Sequence, residues 1–171
     1  MGLTGHDPWK PDEAHTFGAF YSTAKSGNWI KPMLADEAYL KNGPLVYISA
    51  SLASSIFNDI LPLHDGARLA TGFWMLLVFI FISLSARELW GGKTTWLAPL
   101  ILAGSAGLLL RGHQLTSNVI FLAGVTICIY GLAVVPRRPV NGGIAIGSGL
   151  IISTYATSLV EPFMILSVIP L

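Results

Sequence analysis

Charge and cysteine are both scarce in this chain, and each shortage excludes something. Asp, Glu, Lys and Arg make up 11% of its 171 residues, against roughly a quarter in an ordinary soluble domain. With 53% of residues hydrophobic, a water-soluble fold of this size could not hide its apolar surface. The net charge of +1 comes with no basic stripe and no run of like charges, so nucleic acid is not an expected partner. The single cysteine, Cys128, rules out a disulfide framework and a Cys-based metal site by counting, and its apolar neighbours make it a small buried hydrophobe. His6, His15, His64 and His113 have no metal-ligand spacing and read as polar surface or interface residues, His113 with slightly more weight because it follows Arg111 at a helix end. Residues 1–43 lack the apolar run of a signal peptide. If they work outside the cytoplasm, a helix must precede them or the next helix must insert as a reverse anchor.

What charge there is lies unevenly. Asp7, Lys10, Asp12, Glu13, Lys25, Lys31, Asp36, Glu37 and Lys41 place nine of the nineteen charged side chains in residues 1–43. The break near Gly43-Pro44 divides the chain into a polar juxtamembrane loop, 1–43, and a transmembrane region, 44–171. Uncharged runs at 44–58, 69–86, 94–110, 112–136 and 139–160 give five spans, with a truncated sixth from 162. Eighteen helical residues come close to spanning a hydrocarbon core of about 30 Å. Residues 69–86 and 112–135 are expected to be single continuous transmembrane helices, and Pro99 should break the run at 94–110. Trp90 and Trp96 suit an interfacial aromatic belt. Gly104, Ser105, Ala106 and Gly107 would permit close helix approach. Asn118, one turn into an apolar span, calls for a partner. The expected class is all-α: a polytopic transmembrane helical protein with short amphipathic surface helices near its N-terminus.

In the polar segment, Pro11-Asp12-Glu13 reads as a helix start and Gly27 as its stop, giving a helix over 12–25. After a Lys31-Pro32 turn, a second short helix is expected to end near Leu40, both lying on the membrane surface. Adjacent residues on a helix point about 100° apart, so Asp12 and Glu13 do not face one substrate as an acid–base pair. Either both are solvated acids in the first turn, or one is a general base while the other caps or pairs.

Three motifs recur in order: Pro11-Asp12-Glu13-Ala14; Ser26-Gly27-Asn28-Trp29-Ile30-Lys31-Pro32; and Tyr39-Leu40-Lys41-Asn42-Gly43-Pro44-Leu45 with Tyr47, followed by Ala67-Arg68-Leu69. Over residues 9–70 this resembles the N-terminal region of the aminoarabinose transferase and protein O-mannosyltransferase group, polytopic glycosyltransferases of the C-type fold. The family pattern is Pro-Asp-Glu-Ala-Arg, Ser-Gly-Asp-Trp and Tyr-Phe-Glu-Lys-Pro-Pro-Leu. The resemblance implies an enzyme that transfers a sugar from a polyprenyl-phosphate-linked donor to a lipid or protein acceptor, in a bacterial inner membrane, with the N-terminal loop outside the cytoplasm. It implies Asp12 as the base that takes the acceptor hydroxyl's proton, with Glu13 a second candidate. Lys41, Tyr39 and Arg68 are implied, more weakly, at the substrate. The family's Glu-Lys pair, which helps hold a divalent metal and the phosphate, falls on Lys41-Asn42, so the matching carboxylate is absent and no metal ligand is assigned. A family acid near the start of a later span falls on Asn118. The family's first transmembrane helix is missing and such enzymes are several times longer, so the chain is expected to be an N-terminal fragment.

The competing reading is a non-catalytic small integral membrane protein that keeps only the helical scaffold. Topology stays open at this point. With residues 1–43 outside and every run crossing, Arg87, Lys93, Arg137 and Arg138 also fall outside, against the positive-inside preference. If 44–61 does not cross, all four fall inside.

Overall fold

A computed structural model describes residues 10–27, 32–35, 37–39, 41–105, 107–108, 112 and 114–157. The chain folds as a helical bundle with one small β-ladder. In order come α1 (Lys10–Ser26), β1 (Met33–Leu34), β2 (Glu37–Ala38), α2 (Pro44–Phe57), α3 (Leu63–Trp90), a 3₁₀ turn (Gly92–Thr94), α4 (Leu97–Ala103), α5 (Ser117–Val134) and α6 (Pro139–Ala156). Among the described residues two helices, α3 and α5, are long and apolar enough to cross a membrane. Ile101 and Val140 are 74% and 72% exposed, with Phe73, Leu76, Ile144 and Ile151 also open; an outer surface this apolar is suited to lipid rather than water.

The first helix starts and stops where its residues direct. Acidic Asp12 and Glu13 stand in its first turn, where carboxylates favour the helix dipole. Gly27 follows its last turn at φ +70° and donates its N–H to the Thr23 carbonyl at 2.9 Å, the left-handed stop that glycine adopts without strain. Its buried positions Glu13, Thr16, Ala19, Phe20 and Thr23 lie along one face, but three of the five are polar. α1 therefore does not rest on the bundle by an apolar stripe alone.

The expected second surface helix is not there. Met33–Leu34 and Glu37–Ala38 pair antiparallel instead, turning through Ala35 at φ +51°. Strands of two residues have no periodicity to read in a sequence. The uncharged run at 44–58 does form a helix, opened by Pro44 after Gly43, but 14 residues reach only about 21 Å. It folds back on the N-terminal part of α3: Ser54 packs at Gly66, and Leu45 shares a groove with Phe73 and Trp74. The run at 94–110 is not one helix either. Pro99 stands in the first turn of α4 rather than breaking it, and the helix ends at Ala103. The 112–135 helix starts late, at Ser117, which puts Asn118 in the first turn and exposed. Residues 139–156 are one helix. Trp90 and Trp96 are both exposed near the C-terminal end of α3. The truncated run from 162 lies outside the described residues, as do His6, His113, Lys31 and Leu40.

Close helix approach occurs at a different place from the one expected. A Cβ at Gly107 would meet nothing. Between α5 and α6, by contrast, a Cβ at Gly131 would lie 2.8 Å from the Gly142 carbonyl oxygen, and one at Gly149 would lie 2.6 Å from Cys128 Sγ. Glycines 142 and 149 are seven apart and fall on one helix face, so these two backbones meet directly. The core joins every long helix: Phe20 of α1, Val46 and Tyr47 of α2, Trp74 and Val78 of α3, Ile120 and Ala123 of α5, and Ala156 of α6.

Candidate functional site

The two acids of the first turn of α1 have different surroundings. Glu13 points into the bundle and is 1% exposed. Arg68, one turn into α3 and equally buried, donates from Nε to Glu13 Oε1 at 2.8 Å and from Nη1 to Asp65 Oδ1 at 3.4 Å. The Leu115 N–H donates to the same Glu13 oxygen at 3.2 Å, and the Thr71 hydroxyl donates to the Gln114 carbonyl at 3.4 Å. Backbone ahead of α5 is thus held from both α1 and α3, which accounts for the late start of α5. A buried guanidinium needs such a set of acceptors, because an unpaired charge inside a fold is costly. Of the two readings of these acids, both solvated or one of them paired, Glu13 follows the second, with Arg68, 55 residues away, as its partner.

Asp12 faces outward. Lys41 Nζ lies 2.7 Å from Asp12 Oδ1, and the two side chains are 62% and 61% exposed. The hydrogen bond to the Asp12 carboxylate, and then its charge, raise the Lys41 ammonium above its ordinary pKa. Tyr39 stands beside this pair, half-buried, with its ring edge-on to His15 at 6.2 Å between centroids. Its N–H donates to the Pro32 carbonyl at 2.8 Å, fixing the end of the hairpin.

Asn42 ties the loop to the bundle. Its Nδ2 donates to Thr16 Oγ1 and its Oδ1 accepts from Ser117 Oγ, both at 2.9 Å. Gly43 N donates to the Ala156 carbonyl at 2.9 Å, and a Cβ there would lie 2.6 Å from the Tyr155 carbonyl carbon. Only a residue without a side chain lets the backbone come this near the end of α6. Asn42, Ser117, Thr16 and Asp65 were not singled out as site residues in the sequence. The spacing of Asp65 three residues before Arg68 is the one signal that could have found any of them.

All five residues expected at the site, Asp12, Glu13, Tyr39, Lys41 and Arg68, therefore collect around the N-terminal end of α1. They form two layers: a buried clasp of Glu13, Arg68 and Asp65, and an exposed carboxylate–ammonium pair above it. The exposed layer offers an acceptor for a proton and a cation for an anionic group, side by side. It does not fit a divalent metal. The Asp12 carboxylate is engaged by Lys41 and that of Glu13 by Arg68, and among the described residues no three His, Cys, Asp or Glu side chains gather.

A second cluster marks the far end of α3. Arg137 Nη1 donates to the Glu88 carbonyl at 2.9 Å and lies 3.2 Å from its carboxylate, and Arg138 approaches the same side chain at 3.8 Å. Arg87 and Lys93 lie on the adjoining turns.

No protein-family profile and no curated protein matches the chain. Among solved structures, the fold is similar to that of the aminoarabinose transferase ArnT from Cupriavidus metallidurans in its apo state, with TM-score 0.79 and 16% sequence identity. The likeness covers 88% of this chain and 29% of that one. The chain thus has the fold of a portion of a membrane glycosyltransferase.

Proposed function

We propose that this chain is the part of a polytopic membrane glycosyltransferase that receives a polyprenyl-phosphate-linked sugar and presents it to a lipid or protein acceptor. The observation that carries the reading is the placement of Asp12, Lys41 and Tyr39 together at one end of a bundle whose fold is similar to that of ArnT. In this reading Asp12 Oδ accepts the proton of the attacking hydroxyl, and Lys41 sits where the phosphate of the donor carries its charge. A base within reach of the nucleophile and a cation near the leaving group are the two contributions such a transfer needs. Glu13 and Arg68 act through α1 by holding it against α3.

The same reading sets the orientation. α2 folds back on α3 without the length to cross, so α3 alone separates Asp12 from Arg87 and Lys93; the chain is back beside Glu13 at Leu115, and α5 then leads to Arg137 and Arg138 at Glu88. With the cluster in the cytoplasm, as the positive-inside preference favours, residues 1–43 and the Asp12 end lie outside it, in a bacterial inner membrane, with α5 crossing beside α3.

The test is sugar release from a polyprenyl-phosphate donor in membranes holding matched amounts of protein. Asp12→Asn is expected to lower turnover by about 10²–10⁴-fold, and Glu13→Gln by less at matched folded protein. A helix start would barely register Asp12→Asn, since Asn caps nearly as well as Asp. Full activity in Asp12→Asn would therefore remove the catalytic role. One observation favours a second reading, a non-catalytic scaffold: Lys41 already engages the Asp12 carboxylate. Absence of turnover in the wild-type chain, with the fold intact, would put that reading ahead.

A further inference from the structure

We propose that Lys41 takes the place of a divalent cation at Asp12, so that the exposed layer of this site works without a metal. Among the described residues, Asp12, Glu13 and Asp65 each face a cationic or ionisable group of the chain itself. Asp12 has Lys41 at 2.7 Å, Glu13 has Arg68 at 2.8 Å, and Asp65 has Arg68 at 3.4 Å and His64 at 3.6 Å. A hard cation such as Mg²⁺ or Mn²⁺ is held by one or two carboxylates and keeps several waters. Here it would have to displace an ammonium that already occupies the cation's position, and would stand within a few ångströms of that like charge. A metal that displaced it would gain one exposed carboxylate as a ligand and lose the Asp12–Lys41 pair. The layer beneath cannot contribute: Glu13 and Asp65 are buried, and Arg68 is packed between them. An ammonium on a flexible stem presents three donors and a full positive charge to a phosphate, as a point charge rather than a chelate. This rests on the proposed function only in placing Lys41 at the donor's phosphate; the electrostatics hold without it.

The measurement is Mn²⁺ binding, followed by electron paramagnetic resonance, to the full chain in nanodiscs of uncharged lipid. The wild type is expected to show no saturable site up to millimolar Mn²⁺. Lys41→Glu replaces the cation with a second carboxylate beside Asp12, and is expected to gain one saturable site, at least ten-fold tighter than any wild-type binding and lost again in Asp12→Asn/Lys41→Glu. Lys41→Gln removes only the positive charge and serves if the Glu variant does not fold, as judged by helical circular dichroism; it is expected to bind Mn²⁺ more tightly than the wild type. A wild-type site weakened by Asp12→Asn would overturn the proposal, as would folded Lys41 variants that bind no better than the wild type. Sugar transfer plays no part in the readout. Failure here leaves the glycosyltransferase reading standing with a metal in it, and failure of that reading leaves the Mn²⁺ result unchanged.

Discussion

Removing Arg68 takes away a cation that faces both Glu13 and Asp65 in the buried layer. Breaking a buried pair by deleting one partner typically destabilises by about 3–5 kcal/mol, because the other charge is left uncompensated. Arg68→Met keeps most of the volume, so this term should dominate over packing, and about 4 kcal/mol is expected. In a chain of this size that lowers the melting temperature by roughly 10 °C. Glu13→Gln is milder. Asp65 still faces the guanidinium, and the Gln amide oxygen can accept from Arg68 and Leu115; losing the charge from those hydrogen bonds should cost about 2 kcal/mol. The double variant leaves no unmatched Glu13–Arg68 partner, so it should fall short of the sum of the singles by about 1–3 kcal/mol. Denaturation by SDS in mixed micelles, followed by the fluorescence of the five tryptophans, supplies the energies. Hydrogen exchange over residues 10–26 reports whether α1 lifts away. Additivity of the two substitutions to within about 0.5 kcal/mol, with α1 exchange unchanged, would refute the clasp.

Other substitutions probe the backbone. Gly131→Leu and Gly149→Leu should each destabilise by about 1–3 kcal/mol or more through overpacking against α6 and α5, while Gly143→Leu, which meets open space, should change melting by little; equal effects at the three would contradict the helix contact. Gly27→Ala and Ala35→Gly should move stability in opposite directions, down and up by about 1 kcal/mol each, since both positions have positive φ; urea- or SDS-induced unfolding decides the sign. Gly43→Ala should loosen the loop from the end of α6, and cysteine labelling at position 41 should then quicken; an unchanged rate would show that the approach to Tyr155 is not needed.

How much of this was legible in the sequence depended on the range of the cause. α1 was legible because its start and its glycine stop are local, and α3 and α6 because absence of charge over a whole span is a local property. The ladder at 33–38 was not, since strands of two residues carry no pattern. The run at 44–58 read as a span because composition reports solvent, not direction, and its reversal against α3 depends on contacts such as Ser54 with Gly66. The five residues expected at the site could be named from the resemblance, but not sorted into layers. Asp12 and Glu13 are chemically alike and adjacent, and only the positions of Lys41 and Arg68, 29 and 55 residues further on, separate an exposed acid from a buried one.

Those sequence separations also set a timetable. Glu13 lies 102 residues before the Leu115 amide that it binds. At a synthesis rate of about 5–20 residues per second, that amide emerges roughly 5–20 seconds after Glu13 does. Lys41 arrives first, Arg68 next and Leu115 last. Until then the first helix has an acid on its inner face without its full set of partners, and that polar face suits water better than lipid. Docking of α1 through these contacts therefore cannot be complete before α3 and the backbone leading into α5 have been made.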